Sequence, residues 1–294
     1  MRNYKLRAGA MFDAANYIFL SLVALLCLLP LVQIVAISLS SSAAAEANLV
    51  KLWPVDFNWT AYDYAAHKPE FIRSLGISVI RIILGVGMSM FITILVAFPL
   101  SKESNRFRTR TLYVWLFVFV MLFHGGLIPT YMIIKMVGLT NTIWALVVPE
   151  AVAVFNIVLL LNFYRAVPKE LEEAGFIDGA GYWKSLWVIY VPLSMPAIAT
   201  LILFSAVGHW NAWFDGMIYL KKVDQYPLST YLRTVVLASN VDLSSTTDAK
   251  LIAELSSRTL KAAQIFLGAL PILLVYPFLQ RFFVKGIVLG SVKE

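Results

Sequence analysis

Apolar runs recur along this chain at 16–39, 77–100, 112–134, 143–163, 188–207 and 262–283, separated by polar or turn-forming segments. A helix needs roughly 20 mostly apolar residues to cross about 30 Å of hydrocarbon, so the pattern predicts six transmembrane helices. Lipid offers no hydrogen bonds to the backbone, and only helices or closed barrels satisfy it internally. The predicted fold is therefore all-α, one polytopic membrane domain over 1–294. Pro192 and Pro196 interrupt the fifth run near its start. The connecting segments differ in kind: 101–111 is short and basic, 138–142 is a tight turn, and 215–261 is too long for a turn. In that last segment Leu228, Tyr231, Leu232 and Val235 recur at helical spacing after Pro227, predicting a helix. A second is predicted near Asp248.

Composition agrees with the pattern. The chain has 294 residues, 60% hydrophobic and 14% charged, where a soluble domain carries about 45–50% and about 25%. The formal charge of +7 gains meaning from its placement. With both termini cytoplasmic, Lys and Arg fall at 2, 5 and 7, at 102, 106, 108 and 110, at 165, 169 and 184, and at 281, 285 and 293. Short inner segments thus hold most of the basic residues, as the positive-inside tendency expects. They flank spans and form no patch interleaved with exposed aromatics, which argues against nucleic acid as a partner. Arg2, Lys5 and Arg7 precede an apolar run longer than a secretory core, so an uncleaved first span is expected. Trp53, Trp59 and Tyr62 suit an interfacial aromatic belt. Cys27 is the single cysteine and excludes an internal disulfide.

Residues 168–192, PKELEEAGFIDGAGYWKSLWVIYVP, place a charged, glycine-bearing segment between two spans. Pro168 sets the first helical φ, and Glu170, Glu172 and Glu173 suit the positive end of a helix dipole. A single helix over 168–184 is expected, with Gly175 and Gly179 on one face presenting bare backbone to a partner. The order Glu173-Ala174-Gly175, Asp178-Gly179, Ile189 and Pro192 resembles the "EAA" coupling loop of permeases in binding-protein-dependent ABC importers. That loop reads Glu-Ala-Ala, three residues, Gly, nine residues, Ile, one residue, Leu-Pro. Gly175 and Val191 depart from it while staying small or apolar.

Two further strings carry the resemblance toward sugar uptake. Gly125-Gly126-Leu127-Ile128-Pro129-Thr130-Tyr131 is similar to the GGLIPTY signature of permeases for oligosaccharides and polysaccharide fragments, the alginate importer's permeases among them. Physically, paired glycines followed by proline predict a bend. Trp210-Asn211 is similar to a Trp-Asn pair of sugar permeases. The tail Gly290-Ser291-Val292-Lys293 resembles that of the maltose-type small permease, which slots between ATPase subunits.

The resemblance implies the type I ABC importer fold in a bacterial inner membrane. It also implies a second homologous permease forming a heterodimer, two cytoplasmic ATPase subunits, an extracytoplasmic solute-binding protein and a carbohydrate substrate. Glu173, Ala174, Gly175, Asp178 and Gly179 would then meet an ATPase. A related importer of a non-sugar solute would keep the coupling loop but not GGLIPTY. A secondary transporter or channel would need no docking helix.

Catalytic chemistry is hard to build from this sequence. The histidines at 67, 124 and 209 are dispersed and no metal-ligand spacing occurs. Gly179-Ala180-Gly181 has no preceding strand and lacks the third glycine of a dinucleotide loop, while Trp183 stands where a phosphate loop before Lys184-Ser185 needs glycine. No catalytic residue, cofactor or metal is assigned to this chain, and ATP with Mg is expected in the partner ATPases. Arg81, His124, Glu150, Trp210 and Asn211 are the candidates for a solute path. Arg81 is expected to snorkel to the membrane surface, with a buried charge pair as the alternative.

Overall fold

The computed structural model describes residues 2–103, 105–237 and 257–291, with side chains described over 12–103, 105–235 and 258–275. Among them every regular element is helical. The chain divides into two compact units, 1–71 with 234–270 and 72–233 with 271–294.

The first unit holds α1 (Arg2–Ser38), α2 (Ser42–Glu46), α3 (Thr60–His67) and the start of α15 (Ser257–Ser291). Over Phe12–Ser38, α1 is apolar enough to cross a membrane, and its most apolar window is wholly unburied within the chain. Its packing begins only near its end, where Ala36 and Ile37 meet Ala44, Ala45, Val50 and Ala262. Ser41 caps α2 by accepting from the Ala44 amide at 3.3 Å. Ser38 Oγ and the Tyr62 hydroxyl share a hydrogen bond of 2.6 Å, and Tyr62 packs beside Ala61 and Ala263. The predicted helix near Asp248, together with Val292 and Lys293, lies outside the described residues. Gly290 and Ser291 end the α15 backbone, with their side chains also outside the description.

The second unit builds the framework of the site. Its backbone elements are α4 (Pro69–Ser101), which spans both units, α5 (Arg110–Leu122), α6 (Leu127–Met136), α7 (Trp144–Val147) and α8 (Val154–Ala166). After α9 (Lys169–Ile177) come α10 (Tyr182–Ser185), a π turn over Leu186–Tyr190, α11 (Val191–Leu193), α12 (Met195–Asn211), α13 (Phe214–Tyr219) and α14 (Leu228–Leu237), whose last residues belong to the first unit. Helix α14 falls where the 228–235 periodicity predicts one.

Among the described residues, three helices are long and apolar enough to span, and up to six candidates result if each bent pair is one span. The runs at 112–134, 143–163 and 188–207 are not straight helices. Each contains a sharp break: 114° between α5 and α6, 45° after Glu150, and 79° at Ser194. The causes are local. Gly126 adopts φ +85° at the start of α6, and Pro129 in its first turn has no amide to donate back to residue 125, so α5 cannot continue straight through. Pro149 lies in a 3₁₀ turn over Val148–Glu150, and Pro192 and Pro196 flank Ser194.

The main core joins α4, α8, the π turn and α12 through Ile94, Phe98, Leu160, Leu186, Ile198 and Leu201. In a bilayer such contacts are held by close packing, since lipid tails are as apolar as leucine. Aromatic edges extend the core to its polar end, with Phe98 to Tyr190 at 5.0 Å and Tyr164 to Tyr190 at 5.5 Å.

Candidate functional site

The charged segment after α8 folds into a shorter helix than its sequence predicts. Pro168 is the N-cap, and α9 ends at Ile177 instead of continuing to residue 184. Its terminus is a Schellman motif: the Gly179 amide donates to Phe176 O at 3.1 Å and the Ala180 amide to Gly175 O at 2.8 Å. Gly179 holds the left-handed conformation that closes this motif, at φ +76°. Gly175 and Gly179 therefore serve different ends and share no helical face. A Cβ on Gly175 would lie 2.9 Å from Ile189 Cδ1, so that glycine admits a neighbour from the π turn. The spacing from Gly175 through Gly179 to Ile189 encodes a helix, its stop, and the residue that packs back on it.

Two adjacent acids on α9 have opposite fates. Glu173 is exposed, as are Ala174, Asp178 and Gly179, with the apolar Ile177 projecting beside them at 87% exposure. Glu172 is 4% exposed. Its carboxylate accepts from Lys102 Nζ at 2.7 Å and from the Tyr190 hydroxyl at 2.9 Å, with Arg106 at 3.6 Å. Lys102 also lies over the rings of Phe98 and Tyr190, 4.1 and 4.0 Å from their centroids. Burial pushes the Lys102 pKa down, while hydrogen bonding to Glu172 and its charge pull it back up. One carboxylate thus ties α9 to the end of α4 and to the π turn that leads into α12.

A second charged cluster lies along α4, α12 and α13. Arg81 is fully buried and grips both carboxylate oxygens of Asp215, one guanidinium nitrogen also donating to Ala212 O at 3.2 Å. Glu150 Oε2 approaches His209 Nδ1 at 3.4 Å. The His209 ring lies so close to Gly85 that a Cβ there would meet Nε2 at 2.4 Å. The next turn is pinned as well: Ser229 donates to Trp210 O, and Thr230 donates to Trp213 O at 2.9 Å. Among the described residues, no group of three or more His, Cys, Asp or Glu is placed to hold a metal ion.

This all-helical chain has relatives among known proteins. The family described as "binding-protein-dependent transport system inner membrane component" matches residues 79–289. The chain belongs to that family. Protein LplC of Bacillus subtilis (strain 168) is 40% identical over 98% of this chain and 96% of its own length. The permease protein YtcP of the same organism, named for polygalacturonan/rhamnogalacturonan transport, is 37% identical over 96% and 98%. A solved chain of a bacterial ABC transporter involved in import of the acidic polysaccharide alginate matches with a TM-score of 0.88 at 32% identity, covering 94% of this chain and 98% of that one. The protein is a transport permease with the type I importer fold, an integral inner-membrane component and not an enzyme.

Within this permease the solute-path candidates separate. Arg81, Glu150, Trp210 and Asn211 belong to one neighbourhood, joined through Asp215, Ala212 and His209. His124 lies exposed at the break between α5 and α6, with no hydrogen bond or ion pair to the other four. Arg81 does not snorkel: its partner Asp215 lies 134 residues away in sequence, which makes burial affordable and was invisible in local spacing. Trp210 is buried, beside an apolar cavity that it lines with Val79, Leu203 and Pro271. Asn211 is exposed. Glu172, Lys102, Tyr190, Asp215 and His209 are the residues that sequence patterns did not single out.

Proposed function

We propose that this permease forms one half of the membrane pathway of an ATP-driven oligosaccharide importer. Its partners are a second homologous permease in a heterodimer, two cytoplasmic ATPase subunits that bind ATP and Mg, and an extracytoplasmic solute-binding protein. Both termini lie in the cytoplasm. The carbohydrate assignment is supported by the GGLIPTY string at 125–131 and by the naming of the YtcP and alginate-importing relatives.

The observation that carries the coupling role is the contrast between Glu173, exposed on α9, and Glu172, buried beneath it. The exposed face of Glu173, Ala174, Ile177 and Asp178 offers charge and a small apolar surface to an ATPase groove. The buried face converts any displacement of α9 into displacement of α4 through Lys102 and of the π turn through Tyr190 and Ile189. ATP-driven closure of the ATPases would pull on α9, and the bent α10–α12 stretch would follow. Solute delivered by the binding protein enters when the pathway faces outward, and hydrolysis resets it.

Reconstitution with the ATPases and the binding protein tests this. Glu173→Lys should insert normally yet lose ATPase association, or keep it with hydrolysis uncoupled from oligosaccharide uptake. A charge reversal on the ATPase should restore part of the loss. Parental uptake in Glu173→Lys would remove the coupling role. ATPase stimulation by a non-sugar solute alone would remove the carbohydrate role.

A further inference from the structure

Beside the coupling helix lies a cavity of about 360 Å³, within the ordinary range of small-ligand sites, whose wall is charged. Five basic residues line it (Lys102, Arg106, Arg110, Arg165, Lys169) against three acids (Glu103, Glu172, Glu173). Two of the acids are engaged: Glu172 holds Lys102 and Arg106, and Glu103 pairs with Lys169, while the exposed Glu173 makes no ion pair with Arg110 or Arg165 among the described residues. Among the described residues, Arg110 and Arg165 have no carboxylate paired with them. Arg110 spends one nitrogen on Lys102 O at 3.1 Å and keeps a buried Nε unpartnered, while its charge repels that of Arg165. Tyr164, buried with an unpartnered hydroxyl, lines the same cavity.

The position of this cavity narrows the ligand. Arg110 begins α5, Arg165 lies in the last turn of α8, and Lys102 follows the end of α4. All three mark where apolar helices meet their first charges, the depth at which lipid headgroups sit. Two uncompensated guanidiniums at that depth match a phosphate, which accepts the forked donors of arginine.

We infer that Arg110 and Arg165 form a phosphate-binding site beside the coupling helix, occupied by the headgroup of an anionic phospholipid. The site needs no solute and does not depend on which sugar is carried. Because Lys102 and Glu172 share its wall, an occupied site would stiffen the seat of α9.

The test uses the assembled importer in nanodiscs of phosphatidylcholine with increasing phosphatidylglycerol, counting retained lipids by native mass spectrometry and following thermal unfolding. The parent should retain phosphatidylglycerol over phosphatidylcholine and unfold at higher temperature as its fraction rises. Arg110→Gln with Arg165→Gln should cut that preference about tenfold or more, while Arg110→Lys with Arg165→Lys should keep most of it. Inorganic phosphate added to phosphatidylcholine nanodiscs separates the sources. Equal protection by free phosphate would keep the site and make its ligand a soluble anion. If the parent prefers neither phosphatidylglycerol nor phosphate, the inference is overturned, and this titration needs no variant to fold. A full preference surviving in the Gln pair would also overturn it. So would loss of ATPase association in the Gln pair without any phosphate response, since the arginines would then serve a protein partner.

Discussion

Helix α4 carries a buried cation near each end of its apolar stretch, and the two are used differently. Lys102, just past the last turn, meets a carboxylate that is itself buried and has three partners. Arg81 meets Asp215, whose side chain retains 20% exposure and also accepts from the Gly216 amide at 2.8 Å. Removing a partner therefore strands a charge to different degrees. Without Glu172 the buried Lys102 keeps no carboxylate bonded to it among the described residues, whereas Asp215 stays part-exposed and keeps a backbone donor without Arg81. The first cluster ties α9 to the end of α4 and to the π turn. The second fixes a corner where α12 turns into α13.

The largest effect should follow from Glu172→Ala, which leaves the Lys102 ammonium buried and unpaired. Breaking a buried pair from one side typically costs about 3–5 kcal/mol. Thermal unfolding of the purified importer should shift steeply downward, and adding Lys102→Met should recover most of the shift. Arg81→Met should cost less, about 1–3 kcal/mol, the usual penalty for leaving one polar partner unsatisfied. If Arg81→Met proves as damaging as Glu172→Ala, the two clusters are equivalent and the contrast fails.

Smaller effects separate the two glycines of α9. Gly179→Ala must hold a Cβ at φ +76°, a conformation that costs L-residues about 1–2 kcal/mol. It should loosen the end of α9 and lower ATPase retention several-fold in pull-down. Gly175→Ala meets only the flexible end of Ile189, so uptake and ATPase retention should stay close to parental. The reverse order would mean that α9 docks through Gly175.

Much of this was legible in the sequence, and the limits have physical causes. The apolar runs and Pro168 mark where helices lie, because span length and helix entry are local properties. The paired glycines before Pro129 announce a bend, though not its 114°. The split between Glu172 and Glu173 was hidden, since neighbouring acids look alike until a lysine 70 residues earlier is folded against one of them. Arg81 and Asp215 were hidden for the same reason. The glycine at 179 suggested a bare docking face, but its φ shows that it ends the helix instead.

The tie through Glu172 is tested most directly by the neutral pair Lys102→Met with Glu172→Gln, which removes both charges and strands neither. The measurement is oligosaccharide imported per ATP hydrolysed in proteoliposomes with saturating loaded binding protein. With Glu173 intact, ATPase association should be parental while the transport ratio falls several-fold, because α9 would move without carrying α4. An unchanged ratio in a correctly assembled complex would contradict the account, leaving the buried pair a packing detail of the bundle.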